Sequence, residues 1–258
     1  MSRRLESKRW RAVLVALAAC IVVGALAPRP ARAADAPLVV ALDHVVPSHA
    51  PGSKYRTPAT IDTALAEELA RRLGRPLQAT ERGPADLRLT MLGSGEAPEA
   101  AAVISLPYRA APMAIMRTDS DIRRWEDLRG RTACVAAGGG HVGDVQDRHG
   151  AVEIVHPSLT EALVALRTGG CDVLVHDNVL LQELLRLPEW KKFSRRLTSR
   201  REGVLAFLVT RENAPVVARL REVASEWKAK SYTDSLVRTA VRDIAFEVYV
   251  EQEVPDCH

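Results

Sequence analysis

This 258-residue chain is short of apolar length. A helix that spans a bilayer needs about 20 consecutive apolar residues, and the apolar stretch at 12–27 stops at 16. An excess of one charge is also missing once the first 33 residues are set aside. They hold seven of the 36 Lys and Arg and one of the 32 Asp and Glu, which leaves 29 against 31 and a net charge of −2 in place of +4. The basic balance belongs to the N-terminus, and nothing in the remainder argues for nucleic acid. Aromatic residues make up only 4% of the chain, so few rings are on hand to lie over a ligand. Of the four cysteines, Cys134, Cys171 and Cys257 lie beyond residue 33; an oxidising compartment permits one pair and leaves one over. Internal repeats and low-complexity linkers are absent.

What the N-terminus does have is a processing signal. Residues 1–11 carry five basic side chains and one acid, the 16 apolar residues follow, and Ala31-Arg32-Ala33 has the small-x-small form of a cleavage site. The expectation is a secretory signal peptide over 1–33, and hence a periplasmic protein. The alternatives are an uncleaved anchor helix, a lipoprotein held through Cys20 in Leu17-Ala18-Ala19-Cys20, and a twin-arginine signal at Arg3-Arg4, which Glu6 disfavours.

Beyond it, strand-like and helix-like segments alternate. Residues 38–42 (LVVAL) suit a buried strand. Ile61, Leu65, Leu69 and Leu73 fall at four-residue steps on one helix face, closed by Gly74. Strands are expected at 77–81, 87–92, 132–137, 152–155, 171–175, 195–199 and 203–210. Helices are expected from about His141, from Ser158 with Glu161 as a capping box, over 178–187, over 215–228 and over 232–241. Such alternation predicts an α/β fold with parallel sheet covered on both faces; pattern alone leaves one continuous domain open.

Several of these segments, in order, resemble the type-II periplasmic solute-binding proteins, in the branch that carries polar amino acids (bacterial extracellular solute-binding protein family 3). They are the helix with Arg71-Arg72-Leu73-Gly74, Ser105-Leu106-Pro107-Tyr108, Trp125 through Gly130, Cys134 through Gly138, and Glu161-Ala162-Leu163 followed by Cys171 through Asp177. The resemblance implies a two-lobed type-II fold, with 37–113 plus 204–258 as one lobe and 114–203 as the other. Two crossing strands would join them and a ligand crevice lie between, closed by a hinge. It also implies a small-molecule ligand and the membrane components of an ABC transporter as partners, with no cofactor.

The same resemblance assigns site residues and exposes departures. Asp177 stands where the family's aspartate takes a ligand ammonium. Gly138, Gly139 and Gly140 replace a Gly-Thr/Ser-Thr turn, keeping the backbone N–H groups that hold an anion at a helix N-terminus. Pro98 occupies the place of the arginine that clamps the ligand carboxylate; Arg109 is the nearest substitute, or a surface arginine. Tyr108 belongs to the crevice. The first-lobe segment from Asp43 through His49 has no aromatic before Tyr55. His44, His141 and His176 fall near the crevice, and with Asp177 they have the chemistry of a metal site, but their separate segments favour polar ligand contacts and no metal. Cys134 and Cys171 are expected to form a disulfide, the alternative being two buried thiols, with Cys257 free.

Between Glu81 and Leu87 there is no room for a crossover helix, so the first lobe reads as reduced. The two strands there are expected to form an antiparallel hairpin, or one not to be a strand, with a cleft wall lost. Three functions follow. The leading one is capture of a small polar or anionic, amino-acid-like molecule for an ABC importer, without chemistry. The second is an accessory role on a periplasmic partner such as a quinoprotein dehydrogenase. The third is a dehydratase-like enzyme using His44, His141 and Asp177 as acid and base.

Overall fold

The computed structural model describes residues 36–46, 59–211 and 213–251. The expected signal peptide over 1–33, with Cys20, and Tyr55 and Cys257 lie outside the described residues, and none of the described helices is long and apolar enough to cross a membrane.

Among the described residues, ten strands make two five-stranded sheets. The first holds β1 (Leu38–Ala41), β2 (Leu77–Thr80), β3 (Leu87–Gly93), β4 (Ala102–Ala110) and β10 (Gly203–Val209), in the order β2-β1-β3-β10-β4. The second holds β5 (Pro112–Met116), β6 (Thr132–Ala136), β7 (Val152–His156), β8 (Val173–Asp177) and β9 (Arg195–Thr198), in the order β7-β6-β8-β5-β9. Each sheet has three parallel strands and then an antiparallel one, β10 or β5, supplied from across a chain crossing. The chain passes between the sheets at Ala111 and again over 199–202.

Alternation along the strands explains where the core sits. Met113 and Ile115 of β5, Cys134 of β6 and Leu174 of β8 enter the large core cluster. Their neighbours Ala114, Met116, Ala133, Val135, Val173 and Val175 face the other way into a second cluster. Both faces are thus covered at the central strands β5, β6 and β8, which read as largely apolar runs, whereas the edge strands β7 and β9 carry charged residues and exposed positions. Strand β4 instead alternates buried and exposed positions, as a strand with one solvated face does.

The expected hairpin is not there. Strands β2 and β3 both run parallel to β1, on either side of it. The reason is stagger. Thr80 ends β2 level with Ala41, while β3 pairs with β1 only through Leu87 opposite Val40 and Arg88 opposite Ala41. The connection therefore returns only about one residue along the strand and crosses two strand spacings, about 10 Å. Six residues reach that far, whereas fully overlapping strands need a crossover of a dozen or more. What the lobe lacks is a helix; the sheet keeps its five strands and the cleft its wall.

Six helices pack on the sheets: α1 (Ile61–Arg72), α2 (Asp144–His149), α3 (Leu159–Thr168), α4 (Asn178–Leu184), α5 (Ala214–Ala229) and α6 (Tyr232–Glu251). Thr60 caps α1 by accepting from the Thr63 N–H, Ser158 caps α3 by accepting from the Glu161 N–H, and Asn213 caps α5 by accepting from the Val216 N–H. Such caps contribute about 1 kcal/mol each. Helix α2 starts at Asp144, later than expected, because Gly138 through Gly143 form turns.

Helix α6 runs ten residues beyond its expected end and packs against α1, α3, α4 and α5. The Thr233 hydroxyl donates to the Pro107 carbonyl of β4 at 2.7 Å, and the Thr160 hydroxyl of α3 donates to the Glu247 carboxyl at 2.8 Å. Burial pushes the Glu247 carboxyl up from its ordinary pKa, against the Thr160 hydrogen bond. Cys134 of β6 and Cys171, two residues before the neighbouring β8, are disulfide-bonded across a sequence separation of 37; closing a loop of that length stabilises by about 4 kcal/mol in the chain-entropy model.

Candidate functional site

A cavity of about 670 Å³ opens between the two sheets. It lies where open parallel sheets bind ligands, beyond the carboxyl ends of the strands. β1 leads into Asp43 and His44, β6 into the glycine turn, and β8 ends on Asp177; the first turn of α1 adds Asp62, and α6 adds Ala240 and Ile244.

Asp177 is the centre. Its side chain is 18% exposed, Oδ1 accepts from His141 Nε2 at 3.0 Å, and Oδ2 accepts from the Tyr108 hydroxyl at 2.6 Å. Burial alone would raise the carboxyl, but the His141 hydrogen bond, the two neighbouring histidines and the Tyr108 hydroxyl outweigh it and bring its pKa down to about 2. It is therefore ionised at neutral pH, with a lone pair on each oxygen left for a ligand donor. Among the described residues no Lys or Arg pairs with it. Tyr108 is buried on β4, in the other sheet, and burial followed by the Asp177 charge pushes its phenol well above 10, so it stays a donor.

Two histidines flank that carboxylate. Burial lowers His176 to about 4, so its ring is neutral at pH 7. Its Nδ1 accepts the Asp177 backbone N–H at 2.7 Å, which puts the ring proton on Nε2. His141, His176 and Asp177 bring potential metal-ligand atoms within 4.8 Å of one another. In this tautomer, however, Nε2 of His176 is a donor and its lone pair is spent on the backbone. A metal would have to displace one or the other, so the donor set fits a polar ligand better than a cation. The Nδ1 of His141 is buried without a partner, as a bare lone pair when Nε2–H is committed to Asp177.

Asp62 is the residue that sequence reasoning missed. Burial, then the charges of Asp177 and Asp43, raise its carboxyl to about 7. The sequence showed only an acid in the first turn of a helix, where it complements the macrodipole. That this turn sits at the mouth of β1, facing β8, follows from the tertiary fold.

The glycine turn acts through space more than charge. Gly139 N–H closes onto the Ala136 carbonyl at 3.4 Å. The N-terminus of α2 is already taken, because Glu153 accepts from the N–H groups of Gly143 and Gln146 at 2.7 and 2.9 Å. The anion expected at that helix end is thus the protein's own carboxylate. Gly139 and Gly140 line the cavity. Gly138 has φ +73°, and a Cβ there would lie 1.8 Å from the His44 Cβ. His44 comes from the first sheet, held by Glu81, which accepts from His44 Nδ1 and the Val45 N–H at 2.8 Å each. The two sides of the cleft touch at this glycine. Gly138→Ala is expected to keep them apart, leaving a larger radius of gyration by solution scattering. An unchanged radius would show that the contact is dispensable.

Arg109 is not among the cavity-lining residues. It is 66% exposed and pairs with Glu202 at 3.5 Å, so it does not replace the arginine missing at position 98.

No family model matches the chain, and no curated protein does. Solved structures do. Holo ArgBP from T. maritima is 20% identical, with a TM-score of 0.52 over 80% of this chain and 95% of that one. An amino acid ABC transporter substrate-binding protein, AbpA from Streptococcus pneumoniae bound to L-arginine, is 15% identical, with a TM-score of 0.57 over 81% and 95%. The ancestral amino-acid-binding protein AncCDT-1, a precursor of cyclohexadienyl dehydratase, is 16% identical, with a TM-score of 0.54 over 80% and 95%. The chain has the type-II periplasmic binding protein fold.

Proposed function

We propose that a chain with this fold is an exported solute-binding protein. It captures a small polar molecule with an amine or similar donor group for an ABC importer and leaves it unchanged. The observation that carries this reading is the ionised, buried Asp177, held by His141 and Tyr108 and facing the cavity without a Lys or Arg partner among the described residues. A buried charge is stable when paired, and a ligand ammonium completes it. Residues 37–113 with 204–258, and 114–203, would move as two lobes about Ala111 and 199–202, meeting at His44 and Gly138. Gly139, Gly140, His141, His44 and Tyr108 serve as contacts. The dehydrogenase-partner alternative rests on a lost carboxylate clamp and a lost cleft wall; β2 and β3 leave the wall standing, while Arg109 does not restore the clamp.

A thermal-unfolding screen against amino acids, amines, keto acids and other small anions tests the reading. At a hundred times the dissociation constant, a true solute adds about 2.7 kcal/mol, about 5–10 °C for a chain this size. Amines and amino acids are expected to raise the midpoint and simple anions to leave it. A folded sample that no compound shifts would sink the reading.

One observation favours a second reading. A cleft carboxyl near pH 7, as Asp62 is, suits a general acid or base, as a dehydratase of prephenate-like acids requires. Product formation in the same panel would decide for it.

A further inference from the structure

The far side of the same cavity is lined by Arg148, Arg200 and Arg201, and a second depression of about 420 Å³, bounded by Trp125 and His149, begins at the same three side chains. Two of these arginines are engaged: Arg201 donates to both oxygens of Asp144 at 2.7 and 3.2 Å, and Arg148 pairs with the same carboxylate. Two further acids line the cavity near this segment: Glu202 pairs with Arg109 at 3.5 Å, and Glu96 accepts from the Gly93 N–H at 3.0 Å. Arg200 makes no ion pair with any described residue, lies on the crossing segment and faces the cavity.

Sheet register fixes how far apart their backbone segments lie. Pro112 of β5 lies opposite Asp177 of β8, and on its other edge its carbonyl accepts from the Ser199 N–H at 3.0 Å. The backbone at Ser199, one residue before Arg200, is therefore two strand spacings from that of Asp177, about 10 Å. From these separated segments Asp177 and Arg200 both line the one cavity. Its volume of about 670 Å³ is in the range that encloses a drug-sized ligand, well beyond a simple amine.

We propose that the cleft takes a bipolar solute, with an amine seated on Asp177 and a carboxylate or other anionic group at its far end read by Arg200, the two charges separated by several bonds. An α-amino acid, whose charges adjoin, cannot reach both. This rests on the solute-binding reading above. Arg200 is exposed, so replacing it leaves the core intact.

Calorimetric titration with ω-aminocarboxylates of four to eight carbons, and with the alkylamines of the same lengths, separates the two ideas. The protein is expected to bind one length window of the aminocarboxylates at least about tenfold tighter than the matching amine, as one charge-assisted contact supplies. Arg200→Ala should erase that difference and leave the amine unchanged, while Arg200→Lys should keep part of it, since Lys offers charge without the planar fork. Equal binding of amine and aminocarboxylate, or an Arg200→Ala variant that retains the preference, overturns this inference alone. Binding of neither probe class removes the solute reading and the inference together.

Discussion

Asp177→Asn is expected to weaken solute binding at least about thirtyfold in a titration, and to lower the thermal midpoint at pH 7 by several degrees. Removing one partner of a buried, hydrogen-bonded charge pair costs about 2–5 kcal/mol, and 1.4 kcal/mol is a factor of ten. The amide would also turn an N–H₂ toward His141 or Tyr108, both donors to Asp177 in the native site, leaving one of them unsatisfied. The effect on the fold follows from the pKa of about 2 against an ordinary 3.8. Between those values the unfolded chain holds the proton and the folded one does not. The ionised group therefore stabilises by about 2 kcal/mol above pH 4, and this is lost as pH falls from 4 toward 2. A variant that binds within threefold of the parent would remove Asp177 from the site.

Asp62→Asn acts in the opposite direction on stability. The folded carboxyl titrates near 7 and the unfolded one near 3.8, so between these values the folded chain holds the extra proton, and stability falls as pH rises through that window. The cost is absent below about pH 4 and complete above about pH 7, where three pH units of displacement correspond to as much as about 4 kcal/mol. Replacing the acid by its neutral isostere should raise the midpoint at pH 8 by several degrees and leave it unchanged at pH 4. It should also weaken capture of amines at pH 8, where the native carboxylate is charged. Because Asp177 is the second cause of the displacement, after burial, Asp177→Asn should lower the pKa of Asp62. A midpoint gain that does not depend on pH would point to packing instead.

Much of the fold was legible because its signals are local. The four-residue spacing of Ile61 through Leu73, the Ser158 cap and the apolar central strands of the second sheet each follow from local pattern. Asp177 stands out in the sequence because it ends a strand within a segment with family likeness, and it lines the cavity. The errors fall where local pattern gives way to register. The parallel placement of β2 and β3 depends on a stagger that no composition records. Helix α6 continues past its expected end at 241: Arg242 and Asp243 lie on its exposed face while Val241, Ile244 and Ala245 are buried. The pre-emption of the α2 N-terminus by Glu153 depends on β7 lying beside β6.

Helix α6 bears on how the molecule is made. Its buried face, with Val237, Val241, Ile244 and Val248, belongs to the one apolar cluster that also holds α1 and β1 on one side and α3 and α4 on the other. Ribosomes deliver a chain from its N-terminus, so those surfaces stay wet until α6 emerges. Neither half can finish burying itself early, and the nascent chain remains loosely closed until α6 has been made. Under the exported reading proposed above, late closure keeps the chain pliable while it is threaded through a translocon.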